Sequence, residues 1–168
     1  MKTLYLVRHA KSDHDGNLTD IDRHLNMRGY RDAYSMSNLM KEKQVLPNLI
    51  ISSPAIRALT TALIFCRIFK FDPKDIILYN NLYETGLKDY SDIISQSDDK
   101  YKSIMLFAHN PTITDFANSL TIPFTENIPT CGIVGITGNC LQWKNFTKTP
   151  GELTLYDFPK NHATTSVK

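Results

Sequence analysis

Long hydrophobic runs are missing from this chain. The longest uninterrupted apolar stretches are five residues, at 62–66 and 104–108. A membrane-spanning helix needs about 20 apolar residues, so none is predicted. The amino-terminal segment reaches charge at Arg8 too early for a secretory signal peptide. We therefore expect a cytoplasmic protein.

Cysteine and net charge are also scarce. The cysteines at 66, 131 and 140 are odd in number and form no CxxC pair. This pattern excludes a disulfide framework and a zinc knuckle, and it is typical of buried thiols in a reducing compartment. Nineteen Lys and Arg residues oppose 17 Asp and Glu residues. Because the net charge of +2 is small and scattered, the sequence predicts neither nucleic acid nor a membrane as a partner.

What is present is an ordinary globular composition. Apolar residues make up 42% of the chain and charged residues 21%. A length of 168 residues fits one domain with a real core. We expect a single domain over residues 1–160, followed by a frayed carboxyl-terminal tail at 161–168.

Short apolar runs alternate with longer helical patterns along the chain. The predicted strands are 3–7, 49–52, 76–79 and 103–108, and the predicted helices are 28–43, 54–69, 89–96 and 111–120. Further strands are predicted at 132–137, 140–144 and 152–157, where they add an antiparallel edge. This alternation predicts an α/β fold, a three-layer α/β/α sandwich with a mostly parallel central sheet.

Two strand-to-helix joints carry strong local signals. Ser52 or Ser53 can cap a helix that opens at Pro54, and an Asn110–Pro111 pair can do the same later in the chain. Both joints follow predicted strands. In open α/β sheets, ligands bind at the carboxyl ends of the strands, so this edge is the place to look for a site.

Cationic groups collect at these strand ends. The first strand ends in Arg8 and His9, the second helix carries Arg57 in its first turn, and the fourth strand ends before His109. No carboxylate flanks the arginines directly. Such a cluster favours a phosphate dianion, which arginine binds with two parallel hydrogen bonds. A neutral imidazole can attack phosphorus and form a covalent phosphoenzyme without a metal.

Each of these residues taken singly also fits an ordinary surface or helix-start position. The joint arrangement at three separate strand ends is what favours a site. His14 and His24 are interpreted as surface residues, and the alternative is a metal site built with nearby aspartates. We expect no metal and no cofactor.

Several short segments occur together in a characteristic order. They are Leu-Val-Arg-His-Ala-Lys-Ser at 6–12, the Asp-Arg-His-Leu and Gly of 20–33, Ser-Pro-Ala-Ile-Arg-Ala at 53–58, Leu-Tyr-Glu at 82–84, Ala-His-Asn-Pro at 108–111, Ile-Pro-Thr-Cys-Gly at 128–132 and the ending at 151–160. This ordered set resembles the histidine phosphatase superfamily, also called phosphoglycerate-mutase-like. Within it, the set is similar to the SixA phosphohistidine phosphatase branch.

The resemblance implies roles for four residues. His9 would be the nucleophile that becomes phosphorylated. Arg8 and Arg57 would hold the phosphoryl group, and His109 would donate a hydrogen bond to it and help to stabilise the transition state.

Two more residues and the absence of a lid follow from the same resemblance. Ser12 would line the phosphate pocket, and Glu84 stands where related phosphatases place a proton donor. The other interpretation of Glu84 is a polar residue at a strand end. Only 26 residues separate Arg57 from Glu84, which leaves no room for the lid insert of the mutases.

Three functions follow in order of preference. The first is a metal-independent phosphohydrolase with a phosphohistidine intermediate, acting on phosphohistidine in a protein such as a histidine-containing phosphotransfer domain. The second is a phosphatase for a small phosphomonoester or nucleotide. The third is a phosphate-binding module without turnover. Phosphohistidine is preferred because its imidazole, with an unperturbed pKa of about 6.5, leaves with little help from an acid.

Overall fold

A computed structural model describes residues 1–14, 16–122 and 126–163. In these residues the strands are β1 (Lys2–Arg8), β2 (Leu49–Ser52), β3 (Ile77–Leu78), β4 (Ser103–Ala108), β5 (Ile133–Gly138) and β6 (Glu152–Asp157). The helices are α1 (Met27–Glu42), α2 (Ile56–Phe69), α3 (Leu87–Ser95) and α4 (Thr112–Leu120). Short 3-10 helices occur at Asp20–Asp22, Pro73–Asp75, Asn80–Leu82, Trp143–Asn145 and Pro159–His162.

The strands form one sheet in the order β3-β2-β4-β1-β5-β6. The pairs β2–β3, β2–β4 and β1–β4 are parallel, and β5 runs antiparallel to both of its neighbours. The mostly parallel sheet with an antiparallel edge is therefore confirmed. Because Arg8 pairs with Ala108 and Ser52 with Phe107, the carboxyl ends of β1, β2 and β4 meet at one edge.

Helices cover both faces of this sheet, which confirms the three-layer sandwich. On β4, Ile104 and Leu106 belong to a core cluster that includes residues of α3 and α4. The alternate residues Met105 and Phe107 belong to a second cluster that includes residues of α1 and α2. Alternation along a strand sends successive side chains to opposite faces, so each helical pair buries one face.

The helix starts differ from the sequence prediction at the two joints. Helix α2 begins at Ile56, after Ala55, and no side chain caps it. Ser53 Oγ instead accepts a hydrogen bond from the Ala55 N–H at 3.3 Å, within the turn that precedes the helix. The expected cap by Ser52 or Ser53 and the expected helix start at Pro54 were therefore wrong, because two further residues are used to turn out of β2 before the helix begins.

The helix after the second joint also begins later than predicted. Helix α4 begins at Thr112, with Pro111 as its N-terminal flanking residue. The Asn110 side chain donates to the carbonyl of Ile128 at 3.1 Å and does not cap the helix. The polar group expected to close a helix end is used to fasten a neighbouring loop.

The strand predicted at 140–144 was wrong. This segment turns and enters a short 3-10 helix at Trp143–Asn145. Trp143 is fully buried, and its Nε1–H donates to the carbonyl of Tyr101 at 2.9 Å. One large anchored side chain, and not an alternating face, decides the local path.

The last described residues follow β6. Asn161 and His162 lie in the 3-10 helix Pro159–His162, and His162 Nε2 lies 2.6 Å from a carboxylate oxygen of Asp157. The rest of the segment predicted to fray, 164–168, lies outside the described residues. No helix in the described part of the chain is long and apolar enough to cross a membrane.

Candidate active site

The carboxyl edge of the sheet opens into a cleft of about 610 Å³. β1 delivers its residues at its end, α2 in its first turn, and β4 immediately after its last residue. The structure thereby brings together every site residue predicted from the sequence, and all of them line this cleft: Arg8, His9, Ser12, Arg57, Glu84 and His109.

His9 is held in one tautomer by two fixed partners. Its Nδ1 lies 2.8 Å from the carbonyl oxygen of Ala10, and the Nε–H of Arg57 donates to its Nε2 at 3.3 Å. A carbonyl only accepts and a guanidinium only donates, so Nδ1 carries the proton and Nε2 keeps the lone pair. His9 is 8% exposed. Burial lowers its pKa to about 3, and the nearby charges of Arg57 and Arg8 act in the same direction, so the ring is neutral at physiological pH.

His109 lies beside His9, with 5.3 Å between the ring centroids. Its Nε2 is 2.7 Å from Ser53 Oγ. Its Nδ1 is buried and has no hydrogen-bond partner among the described residues. Burial, and after it the positive charge of Arg57, lowers the pKa of His109 to about 3. The cleft thus holds two neutral imidazoles in contact with positive charge.

The two arginines are positioned in different ways. Arg8 donates from Nη1 to the carbonyl of Ile128 at 2.9 Å, while its Nε is buried without a partner in the described part of the chain. Arg57 is 5% exposed, and its Nη2 lies 2.8 Å from a carboxylate oxygen of Asp20. No carboxylate flanks Arg57 directly in the sequence, yet the fold supplies one. Asp20 lies 37 residues upstream, and only the tertiary fold brings it close to Arg57.

Asp20 is the main site residue that sequence reasoning missed. Its carboxylate accepts hydrogen bonds from Arg57, from Arg23 Nη1 at 2.7 Å and from the Tyr83 hydroxyl at 2.7 Å. Burial raises the pKa of Asp20, but these three donors outweigh it and hold the pKa well below its usual range. The carboxylate is therefore ionised and is no proton donor. The Asp-Arg segment at 20–33 was the available signal, although it assigned no role to Asp20.

Ser12 and Glu84 occupy opposite kinds of position in the cleft. Ser12 is 4% exposed, and its Oγ accepts a hydrogen bond from Arg23 Nη2 at 2.7 Å. Glu84 is exposed and accepts no hydrogen bond from any residue that the structure describes. Its φ of 51° lies in the left-handed region, which is strained for a residue with a side chain. Strain of this kind concentrates at functional sites.

The amino-terminal end of α1 fixes the loop that carries His9. The Asn26 N–H donates to the carbonyl of Lys11 at 3.0 Å, and the Asn26 side chain caps the helix by accepting from Gly29 N. A Cβ placed on Gly29 would lie 2.0 Å from the same Lys11 oxygen. Only glycine allows this close approach, which gives the glycine in the 20–33 segment a physical reason.

The described residues contain no group of three or more His, Cys, Asp or Glu side chains that could hold a metal ion. His14 lines the cleft and is exposed, and His24 is also exposed. The prediction that the reaction needs no metal stays a prediction.

Solved structures share this architecture. A protein described as the phosphohistidine phosphatase SixA of Agrobacterium tumefaciens aligns with a TM-score of 0.79 at 25% identity, covering 92% of this chain and 96% of that one. The protein histidine phosphatase SixA complexed with tungstate aligns with a TM-score of 0.79 at 19% identity, covering 95% and 99%. A mycobacterial glucosyl-3-phosphoglycerate phosphatase aligns with a TM-score of 0.68 at 15% identity, covering 93% and 98%.

Sequence comparison gives the family. A search of curated proteins found no match. The family model of the histidine phosphatase superfamily (branch 1) matches residues 4–118, well over half of the 168 residues. The matched region contains both arginines and both histidines of the cleft. This protein therefore belongs to branch 1 of the histidine phosphatase superfamily, and it is a phosphatase with a histidine nucleophile.

Proposed function

We propose that this phosphatase removes the phosphoryl group from phosphohistidine in a protein, through a phosphoenzyme on His9 and without a metal. The observation that carries the proposal is the state of His9. Its Nδ1 proton is committed to Ala10, which leaves the Nε2 lone pair beside the Arg57 guanidinium in the cleft. A neutral, oriented imidazole next to a cation is suited to attack an anionic phosphoryl group.

The reaction then has two displacements at phosphorus. In the first, His9 Nε2 forms a bond to phosphorus while the P–N bond of the substrate breaks, and its electron pair leaves with the substrate imidazole. In the second, water attacks the phosphorus of phospho-His9, and His9 departs as inorganic phosphate forms. Arg8 and Arg57 neutralise the phosphoryl oxygens in both transition states, and His109 Nδ1 is a further hydrogen-bonding group for them. This positive charge is why no metal is required.

The substrate class follows from the supply of protons. An alcohol leaving group must be protonated as its bond to phosphorus breaks. Asp20 is ionised and bound by three donors, and Glu84 is exposed to water at the rim of the cleft. A phosphohistidine that carries a proton on its other ring nitrogen leaves as a neutral imidazole and needs no such donor. The cleft is therefore better suited to phosphohistidine than to a phosphate ester.

Access to the cleft supports a protein substrate. The segment between Arg57 and Glu84 is occupied by α2, β3 and two short 3-10 helices, so it contributes no covering insert. A side chain on a protein surface can then approach the phosphoryl site. The likeness to structures described as SixA phosphohistidine phosphatases points in the same direction.

A small phosphomonoester is the second candidate, and one observation favours it. Glu84 is held in a left-handed conformation where it lines the cleft. A carboxyl group that lines the cleft at that point is a reasonable proton donor to an alcohol. One structural neighbour is a phosphatase of glucosyl-3-phosphoglycerate, a small phosphate ester.

The deciding experiment is the intact-protein mass after mixing with each of three substrates in parallel. These are a histidine-phosphorylated phosphotransfer protein, phosphoramidate and p-nitrophenyl phosphate, with the reaction stopped at alkaline pH to preserve an acid-labile adduct. We expect rapid dephosphorylation of the protein and a transient phosphate adduct that is absent from His9→Ala. Activity should be unchanged after EDTA treatment.

The other outcomes are equally informative. Fast turnover of the ester alone would move the proposal to a small phosphomonoester. A phosphate adduct that persists in His9→Ala would refute the assignment of the nucleophile. Folded protein that binds phosphate but turns over none of the three would indicate a binding module. A clear loss of activity with EDTA would contradict metal independence.

A further inference from the structure

A second, smaller cleft adjoins the catalytic one. It has a volume of about 340 Å³ and shares Arg8, Lys11 and Thr130 with the catalytic cleft. It is also lined by Arg28, in the first turn of α1, and by Lys160, in the 3-10 helix after β6. We call it the basic annex. A molecule whose phosphoryl group lies at His9 can therefore extend into it without leaving the protein surface.

The charge of the basic annex has one sign. Four of its lining residues are cationic, and no carboxylate lines it in the described part of the chain. Arg28 is partly neutralised, because its Nε lies 3.3 Å from a carboxylate oxygen of Asp32. The side chains of Lys11 and Lys160 make no ion pair or hydrogen bond to a described residue. Uncompensated cations around a concave surface favour an anionic ligand.

The walls of the basic annex distinguish it from a scatter of surface lysines. Phe158 and Pro159 form an apolar side, and both are only partly exposed. Arg8, which lines both clefts, has a buried Nε without a partner among the described residues. Four separate parts of the chain thus converge on one small cavity: the loop after β1, the start of α1, the 129–130 turn and the segment after β6.

We propose that the basic annex binds a second anionic group of the substrate, a carboxylate on the phosphoprotein close to its phosphohistidine. This inference rests on the proposed function, because it names a feature of that same substrate. A carboxylate fits better than an apolar group because no carboxylate lines the annex in the described part of the chain, and no described residue pairs with the positive charges of Lys11 and Lys160. The annex then selects among phosphoproteins, while the catalytic cleft performs the same chemistry on all of them.

The test is a double-mutant cycle in which charge is removed from the enzyme, from the substrate peptide, or from both. Two phosphohistidine peptides are compared, one with glutamates and one with glutamines flanking the phosphorylated residue. The enzymes are the wild type, Lys160→Gln and Lys144→Gln. Lys144 is an exposed lysine in the 3-10 helix Trp143–Asn145, outside both clefts, so its removal controls for the loss of one positive charge.

We expect kcat/KM of the wild type to favour the glutamate peptide by about threefold to tenfold, as for a charge pair at an interface. Lys160→Gln should reduce this preference towards one, and Lys144→Gln should retain it. Hydrolysis of p-nitrophenyl phosphate, which offers a single anionic group, should stay within about twofold in all three enzymes, since one distant charge changes a rate only slightly.

Three results would overturn the proposal: no preference in the wild type, an undiminished preference in Lys160→Gln, or an equal loss in Lys144→Gln. Failure of the proposed function is a separate result. If the wild type hydrolyses only phosphoserine peptides, phosphohistidine is the wrong substrate. The same glutamate and glutamine pair, built on phosphoserine, then decides whether the annex reads a second anion.

Discussion

Cationic side chains with buried polar atoms lie at both ends of β1, but their hydrogen bonding differs. At the edge where β1 begins, Lys2 is 3% exposed, and its Nζ donates to the carbonyls of Asp99 at 2.5 Å and Tyr101 at 2.7 Å. It also lies 5.4 Å from the centre of the Trp143 ring. At the edge where β1 ends, Arg8 Nε and His109 Nδ1 are buried with no partner among the described residues.

This difference separates a cation whose hydrogen bonds are satisfied within the fold from one with a buried donor that is not satisfied. A buried polar atom without a hydrogen bond costs about 1–3 kcal/mol, so a stable protein keeps few of them. At Lys2 the partners come from the backbone of the same molecule and the edge is closed. At the cleft, Arg8 Nε and His109 Nδ1 remain unpaired among the described residues. The predictions below test whether the two edges can be perturbed independently, and they run from the largest expected effect to the smallest.

The first prediction separates the edges directly. His9→Ala should reduce kcat/KM by at least about a thousandfold, because removal of a nucleophile costs this much or more. Lys2→Met should lower the free energy of unfolding by about 1–3 kcal/mol, since two carbonyls lose their donor, with kcat unchanged. The measurements are steady-state kinetics and urea unfolding. A rate loss in Lys2→Met equal to that of His9→Ala would show that the edges are not independent.

The second prediction moves the loop that carries His9 without replacing any residue of the cleft. A Cβ at position 29 would lie 2.0 Å from the Lys11 carbonyl oxygen, so Gly29→Ala must displace the loop or the start of α1. We expect kcat/KM to fall by about tenfold to a hundredfold, because small misplacements of catalytic groups are costly. Gly16→Ala is the matched control, since a Cβ there meets nothing within 4 Å. Equal activity of the two variants would refute the role of Gly29.

The third prediction concerns pH. Burial, the largest cause, lowers the pKa of His9 and of His109 to about 3 in the folded protein, against 6.5 for an ordinary histidine. Between these values the unfolded chain binds more protons, so each neutral imidazole contributes stability that is complete above pH 6.5 and is lost as the pH falls towards 3. At pH 5 the loss is about 2 kcal/mol per histidine.

Urea unfolding at pH 7 and pH 5 measures this loss. His9→Asn should lose less stability over the interval than the wild type does. NMR of the imidazole nitrogens in the wild type should show both rings neutral at pH 5. Protonated His9 and His109 at that pH would contradict the low pKa values.

The fourth prediction has the smallest expected effect and tests whether Asp20 competes with a bound anion for Arg57. Its carboxylate accepts from the same Arg57 guanidinium that is proposed to bind a phosphoryl group. Asp20→Asn removes the competing charge, so vanadate should inhibit the variant about threefold to tenfold more strongly, as for one charge pair at a binding surface. Asp22 lies on the same 3-10 helix and is exposed, so vanadate should inhibit Asp22→Asn as strongly as the wild type. Weaker inhibition of Asp20→Asn would mean that Asp20 positions Arg57 and does not compete with the ligand.

Much of the fold was predictable because its signals are local. β2, β4 and β6 were placed at their observed bounds, and the four helices within two residues at every end. The error at 140–144 has a non-local cause, since burial of Trp143 under Lys2 and Tyr101 decides that path. The start of α2 was also misplaced, because Ser53 bonds to Ala55 N and to His109.

Much of the candidate site was also predictable. The six predicted residues line one cleft because parallel strands align their carboxyl ends, a rule that needs only the order of elements. Asp20 and Tyr83 were not assigned to the site, because their contacts join distant positions. Asp20 lies 37 positions from Arg57 and 63 positions from Tyr83. The basic annex was missed for the same reason, because Lys160 and Arg28 are distant in the chain.

The sequence by itself determined the α/β alternation, the strand ends that carry Arg8, His9, Arg57 and His109, and the family, because these depend on periodicity and on short motifs. Only the tertiary structure decided which nitrogen of His9 keeps its lone pair, that Asp20 pairs with Arg57, and that a basic annex adjoins the cleft. Tautomer, pKa and charge balance depend on contacts within a few ångströms between distant segments. These contacts exist only once the sheet has brought the loops together.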